Sequence, residues 1–174
     1  MGITLIDLVD PGKVAESLRL IWDPGQITEV RAVNATTASV TRPGIMSSYF
    51  DYVGKLVGAI GTLTSASGIY VLMNHVDPSL THRVNNCLRP ARRGGSTSDA
   101  DVVKRVWLLI DCDPIRCSAI SSTDIEHDAA IQRACDIRDW LSELGWPKPL
   151  VADSGNGAHL MYRIALPRGD SGLV

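Results

Sequence analysis

Apolar positions along this chain follow a helical period in some stretches and a strand-like pattern in others, and the switches between them outline the fold. Over residues 13–22, Val14, Leu18 and Ile21 fall on one side of a 3.6-residue repeat. Asp23-Pro24-Gly25 then stops it, which predicts a helix. Residues 27–33 predict a short strand. Residues 34–48 are rich in Thr, Ser, Pro and Gly and read as loop, while 49–60 place Tyr52, Val53, Leu56, Val57 and Ile60 on one helical face. The apolar, β-branched run 69–73 predicts a strand, and a further helix is expected from near Pro78 to before Pro90. The first half therefore reads α-β-α-β-α.

Residues 91–101 hold almost nothing apolar and read as an exposed connector between two lobes, 1–90 and 102–174. The unbroken run Val106-Trp107-Leu108-Leu109-Ile110 predicts a central strand buried on both faces, with Asp111 at its C-terminal end. Thr123-Asp124-Ile125-Glu126 forms a capping-box pattern at the start of a helix. Ala130, Ala134, Ile137, Leu141 and Leu144 give that helix one apolar stripe, and Gly145 and Pro147 end it. Residues 150–153 and 158–165, joined by Ser-Gly-Asn-Gly, read as a hairpin with a four-residue loop. The second half is thus β-α-β-β, and the whole belongs to the mixed α/β (α+β) class.

With 174 residues, 45% of them hydrophobic, the chain can bury a real core. One Phe, four Tyr and four Trp leave that core to Val, Ile, Leu and Ala. A net charge of -2 and a pI near 6.0 create no overall field that attracts polyanions, so any such site must be local. The positive excess sits at Arg83, Arg89, Arg92, Arg93, Lys104, Arg105 and Arg116, against Asp99, Asp101, Asp111 and Asp113. Read plainly, it is a solvated loop; read functionally, it is a polyanion surface beside the Asp pair. Cys87, Cys112, Cys117 and Cys135 have no zinc-ligand spacing and are expected to be reduced thiols. No signal peptide and no bilayer-length apolar run is evident, so a cytoplasmic protein with no membrane partner is expected.

Two constellations carry chemistry. On extended backbone, residues i and i+2 point to one side, so Asp111 and Asp113 of Asp111-Cys112-Asp113 are expected to converge. Two carboxylates at a strand end suit Mg²⁺ or Mn²⁺, hard ions that keep further positions for phosphate and water. The same pair also reads as a strand cap followed by an Asp-Pro turn. In Ser154-Gly155-Asn156-Gly157-Ala158-His159, two glycines let backbone N–H groups approach a ligand such as phosphate, although a Gly-rich hairpin turn needs no ligand. Alternation puts His159, Met161 and Arg163 on the face opposite Ala158, Leu160 and Tyr162.

Together these motifs resemble the archaeo-eukaryotic primase superfamily, in particular the primase-polymerase domains of replication proteins from phages, plasmids and other mobile elements. In that family an Asp-x-Asp or Asp-x-Glu ends one strand, and a small-x-His motif opens another after a helix. Here these are Asp111-Cys112-Asp113, extended to Leu109-Ile110-Asp111-Cys112-Asp113-Pro114-Ile115-Arg116, and Gly157-Ala158-His159. The likeness extends more weakly upstream to Ile69-Tyr70-Val71-Leu72-Met73-Asn74. It implies an N-terminal α/β unit packed beside an RRM-like β-α-β-β catalytic unit, and two-metal nucleotidyl transfer. Asp111 and Asp113 would hold Mg²⁺ or Mn²⁺. His159, Ser154, Gly155, Asn156 and Gly157 would contact the incoming nucleotide, with Arg116 aiding at the phosphates. The implied partners are nucleoside triphosphates, a DNA template and primer, and a helicase domain or protein of the same replication system. The family also needs a third carboxylate from a later strand. Asp170 is the sole later candidate and reads as loop, so the chain is expected to be the N-terminal part of a longer protein that extends primers poorly by itself.

Rival readings stay open. A non-catalytic RRM-like nucleic-acid-binding module explains the β-α-β-β order, but the strands lack paired exposed aromatics. A rolling-circle initiator needs a His-hydrophobe-His sequence, which is absent. A metal-dependent nuclease or phosphatase uses the same Asp and His residue types.

Overall fold

The structure, a computed structural model, describes residues 9–83, 85–92, 95–117 and 120–167. These residues form a mixed α+β chain with three α-helices and two antiparallel sheets. They divide into two compact units, one ending at Lys104 and taking in Pro167, the other Arg105–Leu166. Among the described residues no helix is long and apolar enough to cross a membrane.

In the first unit, helix α1 (Pro11–Ile21) opens on Asp10, whose carboxylate accepts hydrogen bonds from the Gly12 and Lys13 amides, with Pro11 in the first turn. Strands β1 (Thr28–Thr37) and β2 (Gly44–Phe50) pair antiparallel, from Thr28 opposite Phe50 to Ala35 opposite Gly44. A bulge interrupts the ladder between Ala32 and Ala35, where Asn34 takes the left-handed φ of 49°. Residues 34–48, expected as loop, are therefore largely sheet. Their polar content is compatible with burial because it is hydrogen-bonded: Ser47 Oγ donates to Glu29, and Ser48 Oγ accepts from the Cys87 amide.

Tyr49 and Phe50 finish β2, so helix α2 (Val53–Ile60) starts later than its apolar period suggested. Strands β3 (Leu63–Ser65) and β4 (Gly68–Val71) pair with β1, and after the short β5 (His75–Val76) comes β6 (Arg89–Pro90), which pairs with β2. The helix expected from Pro78 is only a 3-10 turn over Pro78–His82, capped by Asp77. Leu80 alone is buried from it, and Asn86 at φ 54° breaks any continuation. Leu18, Val30, Met46, Phe50, Leu56 and Ile60 form the centre of this unit's core. Within 91–101, Thr97 is tied to this unit: its amide donates to Glu29 at 3.1 Å and its hydroxyl donates to Tyr49 Oη. Strand β7 (Val102–Cys112) starts here, with Val102 opposite Val76 and Lys104 opposite His75.

In the second unit the rest of β7, helix α3 (Asp124–Glu143), strand β8 (Leu150–Asp153) and strand β9 (Ala158–Pro167) follow the order read from the sequence. The strands lie side by side as β7-β9-β8. Thr123 and Glu126 close the capping box in both directions, and Gly145 at φ 84° follows the helix end. Ala134, Leu141, Ile131 and Ile137 of α3 pack on Ile110 and Cys112 of β7 and on Ala158, Leu160 and Tyr162 of β9. Burial of β7 on both faces is found at Val106 and Trp107 but does not continue: α3 packs on Ile110 and Cys112, and Leu108 and Leu109 remain 37% and 40% exposed.

Candidate active site

The site builds up from the ends of β7 and β9. The alternation of β9 sends Ala158, Leu160 and Tyr162 into the core beneath α3 and leaves His159, Met161 and Arg163 on the other face. Arg163 stacks over the Trp107 ring, 4.9 Å from its centroid, on that same face. Four residues further along each strand, His159 Nε2 stands 3.4 Å from Asp111 Oδ1, with both side chains open to solvent. Two residues separated in sequence by the whole of α3 thus meet at a sheet edge.

Asp113 lies one residue past the end of β7, so no ladder aligns it with Asp111. Its carboxylate is held instead by Arg116, whose guanidinium donates to Asp113 Oδ2 at 3.3 Å and to the Ile120 carbonyl at 2.7 Å. Between the two carboxylates, Cys112 is buried. Burial pushes its thiol up, and the neighbouring Asp111 charge adds to this, so it stays a protonated core side chain.

The loop before β9 is largely occupied with itself. Ser154 Oγ accepts from the Gly157 amide at 3.0 Å, the Ser154 amide donates to the Gly157 carbonyl, and the Gly155 amide donates to Asp153 Oδ1 at 2.7 Å. Asn156 Oδ1 accepts from the Ser122 amide at 3.0 Å and ties the loop to the start of α3. Gly155 sits at φ 81°, and Gly157 lies directly against the Cys112 carbonyl and the Asp113 carboxylate. The side chains of Ser154 and Asn156 and the amides of Gly155 and Gly157 therefore shape the turn, and what they bring to the edge is Asp113 beside the start of β9. At the other end of the loop, Asp153 pairs with His127 of α3 at 3.0 Å.

Chemically, the edge offers two solvent-facing carboxylates, one imidazole and one guanidinium. Among the described residues no group of three or more His, Cys, Asp or Glu side chains is gathered closely enough to hold a metal ion by itself. A pair of carboxylates does fit a hard divalent cation that takes most of its ligands from water and phosphate.

No family model, no curated protein and no solved structure matches the chain.

Asp170 lies outside the described residues. One feature was only partly signalled by the sequence. In the first unit, Arg83, Arg89 and Arg92, seen there as a local basic excess, border a cavity of about 990 Å³ whose lining includes none of the residues just described.

Proposed function

We propose that the second unit is the catalytic edge of a metal-dependent nucleotidyltransferase of the primase-polymerase kind. What carries this reading is the meeting of Asp111 and His159 at 3.4 Å across the strand ends, with Asp113 and Arg116 beside them. The β7-α3-β8-β9 connectivity and the β7-β9-β8 order, with α3 on one face, also agree with an RRM-like unit. The open face of β7 and β9 speaks less for a stacking nucleic-acid module, since Trp107 is buried and lies beneath Arg163.

In this reading Asp111 and Asp113 hold Mg²⁺ or Mn²⁺, which supplies Lewis-acid charge neutralisation at a triphosphate. His159 donates a hydrogen bond toward a phosphate oxygen, and Arg116 adds positive charge at the same edge. Ser154, Gly155, Asn156 and Gly157 position the start of β9 and leave the contact with the nucleotide mainly to His159. Template, primer and a helicase of the same replication system are the partners this activity calls for.

Calorimetric titration of a nucleoside triphosphate with and without Mn²⁺ tests the proposal. Binding should require the metal, and Asp111→Asn with Asp113→Asn should abolish the Mn²⁺-dependent part. Binding that is metal-independent, or that survives the double substitution, would rule the assignment out.

A further inference from the structure

We propose that the first unit carries an anion site of its own, which takes the phosphate chain of a nucleotide, either free or within a single strand. The site stands on the first unit alone and does not depend on Asp111 or Asp113 holding a metal. Its volume, about 990 Å³, lies at the upper end of small-ligand pockets. Three exposed guanidiniums reach it from separate pieces of backbone: Arg83 after the 3-10 turn, Arg89 on β6 and Arg92 in the segment beyond. His82 adds a fourth basic side chain.

Among the described residues no Asp or Glu lines this cavity, and none of the three arginines is paired with a carboxylate. Converging cations without counter-charges repel one another and raise the local potential, which an anion relieves. The nearest buried acid, Glu29, is already committed to Arg31, Ser47 and Thr97. Planar guanidinium forks match phosphate oxygens two at a time.

The floor is set before any ligand arrives. Ser48 accepts from the Cys87 amide, Tyr49 Oη donates to the Gly95 carbonyl and accepts from Thr97, and Arg89 is fixed in register opposite Ser47. Pro90 and Ala91 give the lining an apolar portion on which a sugar or base can rest.

Cys87 lines the same cavity and is exposed, which provides a reporter, and the exposed Cys117 in the second unit serves as its control. With a chelator present to silence metal-dependent binding, the whole chain is titrated with a labelled short single-stranded oligonucleotide in one arm and a nucleoside triphosphate in the other. At least one arm should bind and slow thiol labelling of Cys87 but not of Cys117. Which arm binds identifies the source of the phosphates. Combined Arg83→Gln, Arg89→Gln and Arg92→Gln should weaken binding at least tenfold and remove the protection, with the thermal midpoint kept near that of the parent. In the strand arm, three phosphate contacts predict a log–log salt slope of about −2. Single Arg→Gln variants provide the same readout if the triple variant unfolds. Failure of both ligands to bind, binding unaffected by the substitutions, protection at Cys117 instead, or equal displacement by polyglutamate would each overturn the proposal.

Discussion

Gly157 packs so tightly on Cys112 that a β-carbon at position 157 would stand 2.0 Å from the Cys112 carbonyl oxygen and 3.0 Å from Asp113 Oδ1. The contact is with backbone and cannot be relieved by turning a side chain. Gly157→Ala should therefore force β7 and β9 apart at the candidate site and destabilise the chain by about 3 kcal/mol, the upper range of overpacking. Asn156→Ala removes the acceptor shared by the Ser122 amide and hydroxyl and should cost about 1 kcal/mol. Urea unfolding of the two variants gives the comparison, and equal losses would contradict the packing argument.

Arg116 holds Asp113 and the segment leading to α3 with the same guanidinium. Removing it takes a positive charge away from the carboxylate pair but also takes away a donor to phosphate. Arg116→Ala should accordingly bind Mn²⁺ alone at least as tightly as the parent, while its affinity for nucleotide with Mn²⁺ drops about tenfold, the size of one charge-assisted hydrogen bond. Titrations with metal alone and with metal plus nucleotide separate the two effects, and a parallel fall in both would mean that Arg116 acts only by holding the loop.

The second unit was legible because its signals are local. The Thr123 to Glu126 box, the four-residue turn and the alternation of β9 each lie within a few residues, and each was found where expected. The first unit hid β2 because Ser47 and Ser48 are polar yet buried, with partners at Glu29 and Cys87 that no short window contains. Likewise, sequence spacing marked Asp111 and His159 separately, and only the β7-β9 neighbourhood brings them together. The arginines at 83, 89 and 92 were visible as charge, but nothing in their spacing indicates that they border one cavity.

The His127–Asp153 pair links α3 to the end of β8 and makes this link sensitive to pH. The hydrogen bond with Asp153 raises His127 above its ordinary 6.5, and the same bond, with the Gly155 amide, lowers Asp153 below 3.8. For His127, whose folded value is raised, the stabilisation is complete below about 6.5 and is lost as pH climbs through the folded value. For Asp153, whose folded value is lowered, it is present above about 3.8 and is lost as pH falls through the folded value. The pair should thus contribute most in the mildly acidic window and weaken above neutrality. An NMR titration of the His127 ring should show the raised value, and Asp153→Asn should return it toward 6.5. An unchanged midpoint in that variant would dismiss the pairing.

Glu29 is the acid on which the first unit's polar interior turns. Its side chain is 3% exposed and accepts from Ser47 Oγ, from Arg31 at 2.9 Å and from the Thr97 amide at 3.1 Å. Burial pushes its carboxyl up, but the bonds from Ser47, Thr97 and Arg31 outweigh this and hold it below the ordinary 4.5. Glu29→Ala would leave a buried hydroxyl and the Thr97 amide without partners and free the segment that Thr97 anchors. Breaking a buried charge pair typically costs about 3–5 kcal/mol. Because Arg31 is 37% exposed and can be hydrated, its share is smaller, and a loss of about 3 kcal/mol is expected. The sign of the pH effect follows from the lowered value: the stabilisation is present above about 4.5 and disappears as pH falls through the folded value. Urea unfolding of parent and Glu29→Ala at neutral pH should therefore differ by about 3 kcal/mol, and the gap should narrow in acid. A gap that stays constant down to the lowest pH at which both chains fold would mean that Glu29 acts through shape alone and that its charge adds nothing.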